Sequence, residues 1–134
     1  MPGKITIHTD GGARGNPGPA GIGAVLEFDG RQKTFKKYIG HATNNQAEYQ
    51  AVILALEKAK EISAGELDIF LDSELVQQQL SQKYKVKNQD LALLFIKVWN
   101  LSLNFKKVKY IHVRRNDNKL ADKLVNEAID EALK

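Results

Sequence analysis

The chain has no cysteine, and its 134 residues include one tryptophan, one methionine and three prolines. The absence of cysteine excludes disulfides, zinc sites built on thiolates and a cysteine nucleophile. No run of about 18 apolar residues and no signal-peptide pattern occurs, so nothing directs the chain into or across a membrane, and we expect a cytoplasmic location. The remaining composition, 43% hydrophobic and 27% charged, is typical of a globular protein and predicts a single domain over residues 1–134.

The overall charge of the chain is positive. The formal net charge is +4 at pH 7, and the pI is near 9.2. A basic balance of this kind favours a polyanionic partner such as a nucleic acid. It is weak evidence by itself, because many basic proteins bind no nucleic acid.

Alternating and helical patterns predict an α/β fold with one mixed, five-stranded sheet. Strands are expected over residues 4–10, 20–28, 31–39, 66–71 and 107–113, and helices over residues 45–60, 73–82, 89–103 and 118–133. The first three strands should form an antiparallel meander, because Asp29-Gly30 is a two-residue hairpin signal. The last two strands alternate with helices, which predicts parallel strands with helices packed on the sheet. Residues 11–19, rich in glycine and proline, predict a loop whose backbone can approach a ligand closely.

Four acidic residues lie far apart in the sequence at positions that such a fold would bring together. They are Asp10, Glu48, Asp72 and Asp122. Asp10 and Asp72 each follow an apolar strand pattern, and a strand that ends in a carboxylate places it at the rim of the sheet. Clustered carboxylates repel one another, so such a group persists only if protons, basic side chains or cations neutralise it. Hard oxygen ligands favour Mg²⁺ or Mn²⁺, and the pattern therefore indicates a metal site.

Each of these carboxylates also has a structural interpretation. Glu48 could belong to a solvated face of its helix, but it lies on the core-facing stripe, where a carboxylate is costly unless it is paired or bound to metal, and this favours a ligand role. Asp72 could instead cap the helix that follows it, and Asp122 could be stabilised by the macrodipole at the first turn of the last helix. Asp10 could be a turn residue whose side chain accepts from the following backbone amides. No single carboxylate decides between the two interpretations.

Four segments taken together are more specific than any single residue. In chain order they are Thr9-Asp10-Gly11-Gly12 with Gly15-Asn16-Pro17-Gly18-Pro19, Thr43-Asn44-Asn45-Gln46-Ala47-Glu48, Asp72-Ser73, and Asn118-Lys119-Leu120-Ala121-Asp122. Their order and spacing closely resemble those of the type 1 ribonuclease H family. The resemblance covers nearly the whole chain, from the first predicted strand into the last predicted helix.

The resemblance implies both an activity and the residues that perform it. Asp10, Glu48, Asp72 and Asp122 become catalytic residues that hold two Mg²⁺ or Mn²⁺ ions, with Asp10 bridging both. The substrate becomes the RNA strand of an RNA–DNA hybrid, cut endonucleolytically to leave a 5′-phosphate and a 3′-hydroxyl. Two-metal catalysis suits this reaction, because it supplies an activated water and stabilises the leaving 3′-oxygen.

The resemblance also implies which residues contact the hybrid. Hybrid selectivity requires one strand to be recognised by its 2′-hydroxyls and the other by the shape and phosphates of DNA. The implied substrate-binding residues are Gly11, Asn16, Thr43, Asn44, Asn45, Gln78 and Asn88. Thr43 and Asn88 would help to form a pocket for a DNA phosphate, and the side chains of Asn16, Asn44, Asn45 and Gln78 would contact nucleotides in the minor groove. The segment Thr43-Asn44-Asn45 can equally be a helix cap, and the two roles can coexist.

Two departures from the family pattern affect substrate binding. Glu74 stands where the family often has glutamine, and the extra anion could weaken RNA contacts or shift metal affinity. Many bacterial members insert a basic, tryptophan-containing helix for which residues 80–88 leave no room, so this chain is a handle-less form. We expect Trp99 to lie in the core. Electrostatic binding would then depend on scattered lysines, such as Lys83, Lys85 and Lys87.

A third departure is that the histidine usual in the loop before the fourth aspartate is missing. The chain there reads His112-Val113-Arg114-Arg115-Asn116-Asp117-Asn118. Arg115 lies in a polar loop seven residues before Asp122 and can pair bidentately with a phosphate, whereas His112 alternates with apolar neighbours in a strand. Arg115 is therefore the candidate fifth catalytic residue, ahead of Arg114 and His112.

Two other functions fit the same fold. One is a non-catalytic nucleic-acid-binding module, against which the intact set of four carboxylates argues. The other is the ribonuclease H domain of a larger reverse-transcriptase-like or fusion protein. The start at Met1 and a last helix that ends close to Lys134 favour a free-standing enzyme, which we expect to be a monomer.

Overall fold

Three antiparallel strands form one side of the sheet. The computed structural model describes residues 3–63 and 65–134. The strands are β1 (Lys4–Ala13), β2 (Gly18–Phe28) and β3 (Arg31–Ala42). Asp29 and Gly30 join β2 to β3 with φ values of 49° and 71°, the positive values that a two-residue hairpin turn requires. The predicted meander is therefore confirmed.

The first strand continues beyond its predicted end at residue 10. Residues 11–13 pair with residues 20–22 of β2, so the expected loop over residues 11–19 is reduced to residues 14–17. Asp10 consequently lies inside a paired strand. The interpretation of Asp10 as a turn residue is wrong.

Two parallel strands complete the sheet beside β1. They are β4 (Glu66–Leu71) and β5 (Lys107–His112), and the strand order is β3-β2-β1-β4-β5. Leu71 pairs with Thr9 of β1 on one side and with His112 of β5 on the other. The residues that follow Thr9 and Leu71 are Asp10 and Asp72, so the two aspartates stand next to each other at the carboxyl edge of the sheet.

Helices cover both faces of the sheet. They are α1 (Asn44–Lys60), α2 (Glu74–Leu80), α3 (Gln89–Ser102) and α4 (Lys119–Ala132). Ala24 and Leu26 of β2 belong to the core shared with α1, α2 and α3, whereas Val25 packs against Ala121 and Leu124 of α4. Because alternate residues of a strand face opposite sides, α4 covers the face opposite to the other helices. Within the described ranges, no helix is long and apolar enough to cross a membrane.

Side-chain caps fix the starts of α1 and α2. Thr43 Oγ1 accepts from Gln46 N at 3.1 Å, and Gln46 Oε1 accepts from Thr43 N at 2.9 Å, so a capping box begins α1 and the helix-cap interpretation of this segment is confirmed. Ser73 Oγ accepts from Val76 N at 3.3 Å and caps α2. The interpretation of Asp72 as the cap of this helix is wrong, because the adjacent serine performs that role.

The connection between α2 and α3 confirms one prediction, and α3 itself overturns another. Residues 81–88 connect the two helices without a helix of their own, so the handle is absent as predicted.

Trp99 is 46% exposed, whereas its neighbour Val98 is 2% exposed. Successive helical residues are rotated by about 100°, so burying Val98 in the core directs Trp99 toward the surface. The prediction of a core tryptophan is wrong.

Candidate metal centre

Three acidic side chains meet at the carboxyl edge of the sheet. Asp10 lies on β1, Asp72 directly follows β4, and Glu48 comes from the N-terminal part of α1. Each offers one carboxylate oxygen, and these oxygens lie within 4.8 Å of one another. A spacing of this size allows the three groups to bind a shared cation.

Glu48 is held in this cluster by one oxygen, which leaves the other available. The side chain is 6% exposed, and Glu48 Oε1 accepts from Gly11 N at 3.1 Å. This bond depends on glycine, because a Cβ at Gly11 would collide with the carbonyl group of Ala47 and lie 2.6 Å from Glu48 N. Glu48 Oε2 is buried and has no hydrogen-bond partner among the residues that the structure describes. A buried carboxylate oxygen is costly in that state, so Oε2 is suited to bind a cation.

Burial and mutual repulsion raise the pKa values of two of these carboxyls. The pKa of Asp10 is raised from 3.8 to about 7, mainly by burial and further by the charges of Asp72 and Asp122. The pKa of Glu48 is raised well above its ordinary value, first by burial and then by the charge of Asp10. Because the two carboxyls are buried beside each other, a proton on either one relieves their mutual repulsion. A divalent cation would relieve the same repulsion that the proton relieves.

Asp122 borders the same cleft from the first turn of α4. Its proximity raises the pKa of Asp10. It lies outside the group of three carboxylates, found among the described residues, whose oxygens are within 4.8 Å of one another. All four carboxylates nevertheless line one open cleft of about 470 Å³. The fold therefore assembles the complete predicted ligand set in one place, with Asp122 at its side.

Arg115 is the basic residue of the loop before α4 that reaches the cleft. It begins a short 3₁₀ helix (Arg115–Asp117), and its side chain is 82% exposed. Its Nη2 atom lies 3.8 Å from Asp122 Oδ1, and the residue lines the cleft. Arg114 and His112 are also exposed, but the cleft lining formed by the described residues includes neither. The geometry favours Arg115 among the three, and its catalytic role stays a prediction.

Three of the predicted substrate-binding residues line the cleft. They are Gly11, Asn44 and Asn45. Asn44 Oδ1 accepts from Ala13 N at 2.8 Å, and Asn44 N donates to Asn16 Oδ1 at 3.0 Å. These bonds fasten the loop between β1 and β2 to the start of α1. Asn16 thus contributes to the shape of the cleft through Asn44.

Thr43, Gln78 and Asn88 lie outside the lining of the cleft in the part of the chain that the structure describes. Thr43 caps α1, and Asn88 Oδ1 caps α3 by accepting from two backbone N–H groups of that helix. Gln78 Nε2 donates to Gln77 Oε1 at 2.8 Å. Each side chain has a local structural role, and its contact with nucleic acid stays a prediction.

Two residues of the site were not predicted from the sequence. Arg14 lines the cleft, and its Nη2 atom lies 2.7 Å from Asp130 Oδ1 on α4. Asn118 Nδ2 lies 3.4 Å from Asp72 Oδ2. Asn118 is the first residue of the fourth motif segment, and Arg14 lies between residues 9–12 and 15–19 of the first. Their positions in or between these segments are the sequence signal that could have identified both residues.

Sequence comparisons identify proteins that are similar to this chain. A family model described as reverse transcriptase-like matches residues 8–128. A bifunctional protein of Mycobacterium tuberculosis is 42% identical over 132 residues, which cover 96% of this chain and 36% of that protein. A ribonuclease H of Legionella pneumophila is 34% identical over 149 residues, which cover 96% of this chain and 98% of that protein. The chain therefore spans about a third of the length of the first relatives it matches and nearly all of the Legionella protein.

A solved structure shares the fold throughout. The crystal structure of LC11-RNase H1 in complex with an RNA/DNA hybrid superposes with a TM-score of 0.91 at 43% sequence identity. The match covers 97% of this chain and 99% of that chain. The similarity therefore extends over every strand and helix that positions the carboxylates.

Proposed function

Because the chain belongs to the type 1 ribonuclease H family, we propose that it hydrolyses the RNA strand of RNA–DNA hybrids by a two-metal-ion mechanism. The products would carry 5′-phosphate and 3′-hydroxyl ends. The observation that carries the proposal is the cluster of Asp10, Glu48 and Asp72, whose oxygens lie within 4.8 Å of one another, with Asp122 beside it. The hybrid bound in the LC11-RNase H1 structure supports the same substrate class for this chain.

The donor set fits divalent cations. All four groups are carboxylates, which Mg²⁺ and Mn²⁺ prefer, and Glu48 Oε2 is a buried oxygen without a partner among the described residues. Asp10, Glu48, Asp72 and Asp122 would hold two such ions. When bound, the pair would supply an activated water and stabilise the leaving 3′-oxygen.

The protein residues prepare this site before substrate arrives. The bond from Gly11 N fixes Glu48, so this ligand needs little reorganisation when cations bind. Arg115 lies on the open side of Asp122, where an arginine can orient the scissile phosphate or assist its release. It cannot act as a general base near neutral pH, because the guanidinium group stays protonated.

Recognition of the hybrid would depend on uncharged amides. Asn44 and Asn45 line the cleft beside the carboxylates, where they can contact the 2′-hydroxyls of the RNA strand, and Asn16 braces Asn44. Gln78 is proposed to extend these contacts from α2. Thr43 and Asn88 are proposed to bind a phosphate of the DNA strand through the groups that their capping bonds leave available.

Without the handle, electrostatic attraction must come from the rest of the surface. The net charge is +4, and Lys83, Lys85 and Lys87 are exposed in the connection between α2 and α3. Phosphate contacts of this kind release counterions, so binding should weaken as salt is added. Glu74 is also exposed at the start of α2, where an anion opposes the same attraction.

The first prediction concerns substrate and metal. We expect cleavage of end-labelled RNA–DNA hybrid in Mg²⁺ or Mn²⁺, with little or no cleavage of single-stranded RNA or duplex DNA, because carboxylate-bound metal supplies the chemistry and groove shape supplies selectivity. Duplex RNA is included as a fourth substrate. The ends of the products are identified by their ability to be extended or ligated. Cleavage that persists in excess chelator would contradict the metal mechanism.

Two rival functions are separated by the same assay. A non-catalytic module would bind the hybrid in a salt-dependent manner and leave it uncut at every metal concentration. If the chain acts as one domain of a larger protein, as the length of the M. tuberculosis relative allows, it should cleave hybrid but gain affinity or selectivity when the additional domain is supplied. The monomeric state and the cytoplasmic location stay predictions, and sedimentation of the purified chain tests the first.

The second prediction concerns Arg115. Arg115→Ala should lower kcat about tenfold or more, because it removes the guanidinium group beside Asp122 at the open side of the cleft. A tenfold loss corresponds to about 1.4 kcal/mol of activation free energy. Arg114→Ala and His112→Ala are the matched controls, since neither residue lines the cleft. Steady-state rates on one hybrid at saturating Mg²⁺ provide the comparison. A larger loss in His112→Ala than in Arg115→Ala would show that the histidine performs this role.

A further inference from the structure

Asn118 is a buried amide at the start of α4 that does not cap its own helix. The residue is 2% exposed and precedes Lys119, the first residue of the helix. An asparagine at this position normally stabilises a helix by accepting a hydrogen bond from the first backbone N–H groups. Here the side chain makes no such bond, and Asn118 Oδ1 has no hydrogen-bond partner among the described residues. Capping therefore does not explain the position of this side chain.

The amide nitrogen of Asn118 points instead to the carboxyl edge of the sheet. Asn118 Nδ2 donates to the carbonyl oxygen of Thr9 at 2.8 Å and to Asp72 Oδ2 at 3.4 Å. Both partners are acceptors, so the side chain must present its NH₂ group to them. An aspartate at this position would place an oxygen against two acceptors.

Asn118 is also linked to the chain segments that carry Asp10 and Asp122, to the first through its side chain and to the second through its backbone. Thr9 directly precedes Asp10, so the bond to Thr9 fixes the segment of β1 that carries this carboxylate. The carbonyl oxygen of Asn118 accepts from Asp122 N at 3.1 Å in the first turn of α4. One residue is thus bonded to the three segments that carry Asp10, Asp72 and Asp122.

We infer that Asn118 is a positioning residue that holds Asp72 against β1 and α4, so that the carboxylate cluster is preformed for divalent cations. The inference rests on the proposed function, because positioning matters here only if the carboxylates bind cations. Groups just outside the ligands of a metal orient those ligands, and their loss typically lowers metal affinity or activity by about 10- to 100-fold. Asn118 contacts a ligand and not the reacting atoms, so its effect passes through Asp72.

A purely structural role makes a different prediction. Removal of a buried amide that joins β1 to α4 should lower the stability of the protein under either interpretation. Only positioning predicts a lower cation affinity in a variant that is still folded. That difference can be measured without any nucleic acid.

The test is a calorimetric titration of the metal-free protein with Mn²⁺ alone. We expect Asn118→Ala to weaken Mn²⁺ binding by about 10-fold or more. Tyr49→Phe is the matched control, because it removes a buried bond of 2.7 Å from Tyr49 Oη to Gln79 Oε1 that involves none of the four carboxylates. This control should lose stability and keep the Mn²⁺ affinity of the wild type.

A double-mutant cycle identifies the route of the effect. In the Asp72→Asn background, Asn118→Ala should cause little further loss of Mn²⁺ affinity, because the carboxylate that it positions is already absent. If Asn118→Ala does not fold, Asn118→Ser, which keeps a hydroxyl donor in the buried position, is measured against the same outcomes. Folding of every variant is checked by thermal unfolding before the titration.

Three results would overturn the inference. The first is wild-type Mn²⁺ affinity in a folded Asn118 variant, and the second is an equal loss in the wild-type and Asp72→Asn backgrounds. The third is a loss of affinity in Tyr49→Phe as large as that in Asn118→Ala, which would attribute the effect to stability alone. If the wild type itself bound no Mn²⁺ or cut no hybrid, the proposed function would fail, so the two failures are distinguishable.

Discussion

Asp10→Asn is expected to abolish cleavage of RNA–DNA hybrids and to stabilise the metal-free protein. Asp10 shares the three-carboxylate group with Glu48 and Asp72, and it also interacts with Asp122. In the proposed mechanism Asp10 would help to hold the cations, and its replacement by a neutral amide removes a charged ligand from the site. Turnover is measured at saturating Mg²⁺. Wild-type turnover in this variant would show that Asp10 has been assigned the wrong role.

The gain in stability should depend on pH in a defined direction. Because the pKa of Asp10 is raised from 3.8 to about 7, the folded protein keeps a proton in this range that the unfolded chain releases. Stability of the metal-free protein therefore falls as pH rises from about 4 to about 7, and the penalty is complete above that range. The raised pKa of Asp10 corresponds to a loss of folding stability of at most about 4 kcal/mol at high pH. Since the pKa of the neighbouring Glu48 is raised as well, Asp10 accounts for only part of this penalty, and we expect Asp10→Asn to recover about 1–2 kcal/mol at about pH 8 and almost none at about pH 4.

Denaturant unfolding in the presence of chelator measures this effect. The stabilities of the wild type and Asp10→Asn should converge near pH 4 and separate as the pH is raised toward 8. Asp29→Asn is the matched control, because Asp29 is exposed in the turn between β2 and β3 and asparagine tolerates its positive φ. Stability curves of wild type and Asp10→Asn that run parallel across this range would contradict the electrostatic explanation.

The order and type of the strands and helices follow from local signals, whereas their ends depend on partners. Asp29-Gly30 specifies a hairpin through its own φ preferences, and the apolar pattern of residues 66–71 identifies β4 with its observed ends. Residues 11–13 belong to β1 because residues 20–22 of β2 lie opposite them. Nothing within the glycine-rich segment itself encodes that pairing, so a loop was the natural local prediction.

Burial on α3 could not be predicted from the helix alone. Its apolar residues lie on several sides, and the exposed ones include Leu93, Ile96 and Trp99. Apolar residues such as Leu93 also lie among the polar residues on the outer side of this helix, so the pattern does not identify its inner side sharply, and tertiary packing decides which residues are covered. The expectation that Trp99 is buried failed for this reason.

The four carboxylates could be identified from the sequence because each belongs to a motif, but their supporting contacts could not. Asn118 lies in the fourth motif, yet its amide reaches Asp72 and Thr9 across 46 and 109 residues of sequence. Contacts at such separations are set by the parallel pairing of β1 with β4 and by the packing of α4 on the sheet. Motifs therefore locate the ligands, and the fold determines what holds them.

Gly11→Ala is expected to destabilise the protein strongly and to disturb the metal site. A Cβ at this position would collide with the carbonyl group of Ala47 and lie 2.6 Å from Glu48 N. These are backbone atoms of α1, which cannot rotate away, so β1 and α1 would have to separate. Their separation would break the bond of 3.1 Å between Gly11 N and Glu48 Oε1. Overpacking typically costs about 1–3 kcal/mol and occasionally more, and we expect about 3 kcal/mol or more here because the clash is with backbone.

Gly12→Ala is the matched control for this effect on stability. A Cβ at Gly12 would lie 3.8 Å from Val125 Cγ1 and 4.0 Å from Asn44 Oδ1, which are ordinary contact distances. Neither glycine has a positive φ, so alanine is free of backbone strain at both positions and the comparison isolates the collision. Denaturant unfolding should show a large loss for Gly11→Ala and little change for Gly12→Ala, and folded Gly11→Ala should bind Mn²⁺ more weakly than the wild type. Equal stabilities of the two variants would contradict the close packing of β1 on α1 that holds Glu48 in the cluster.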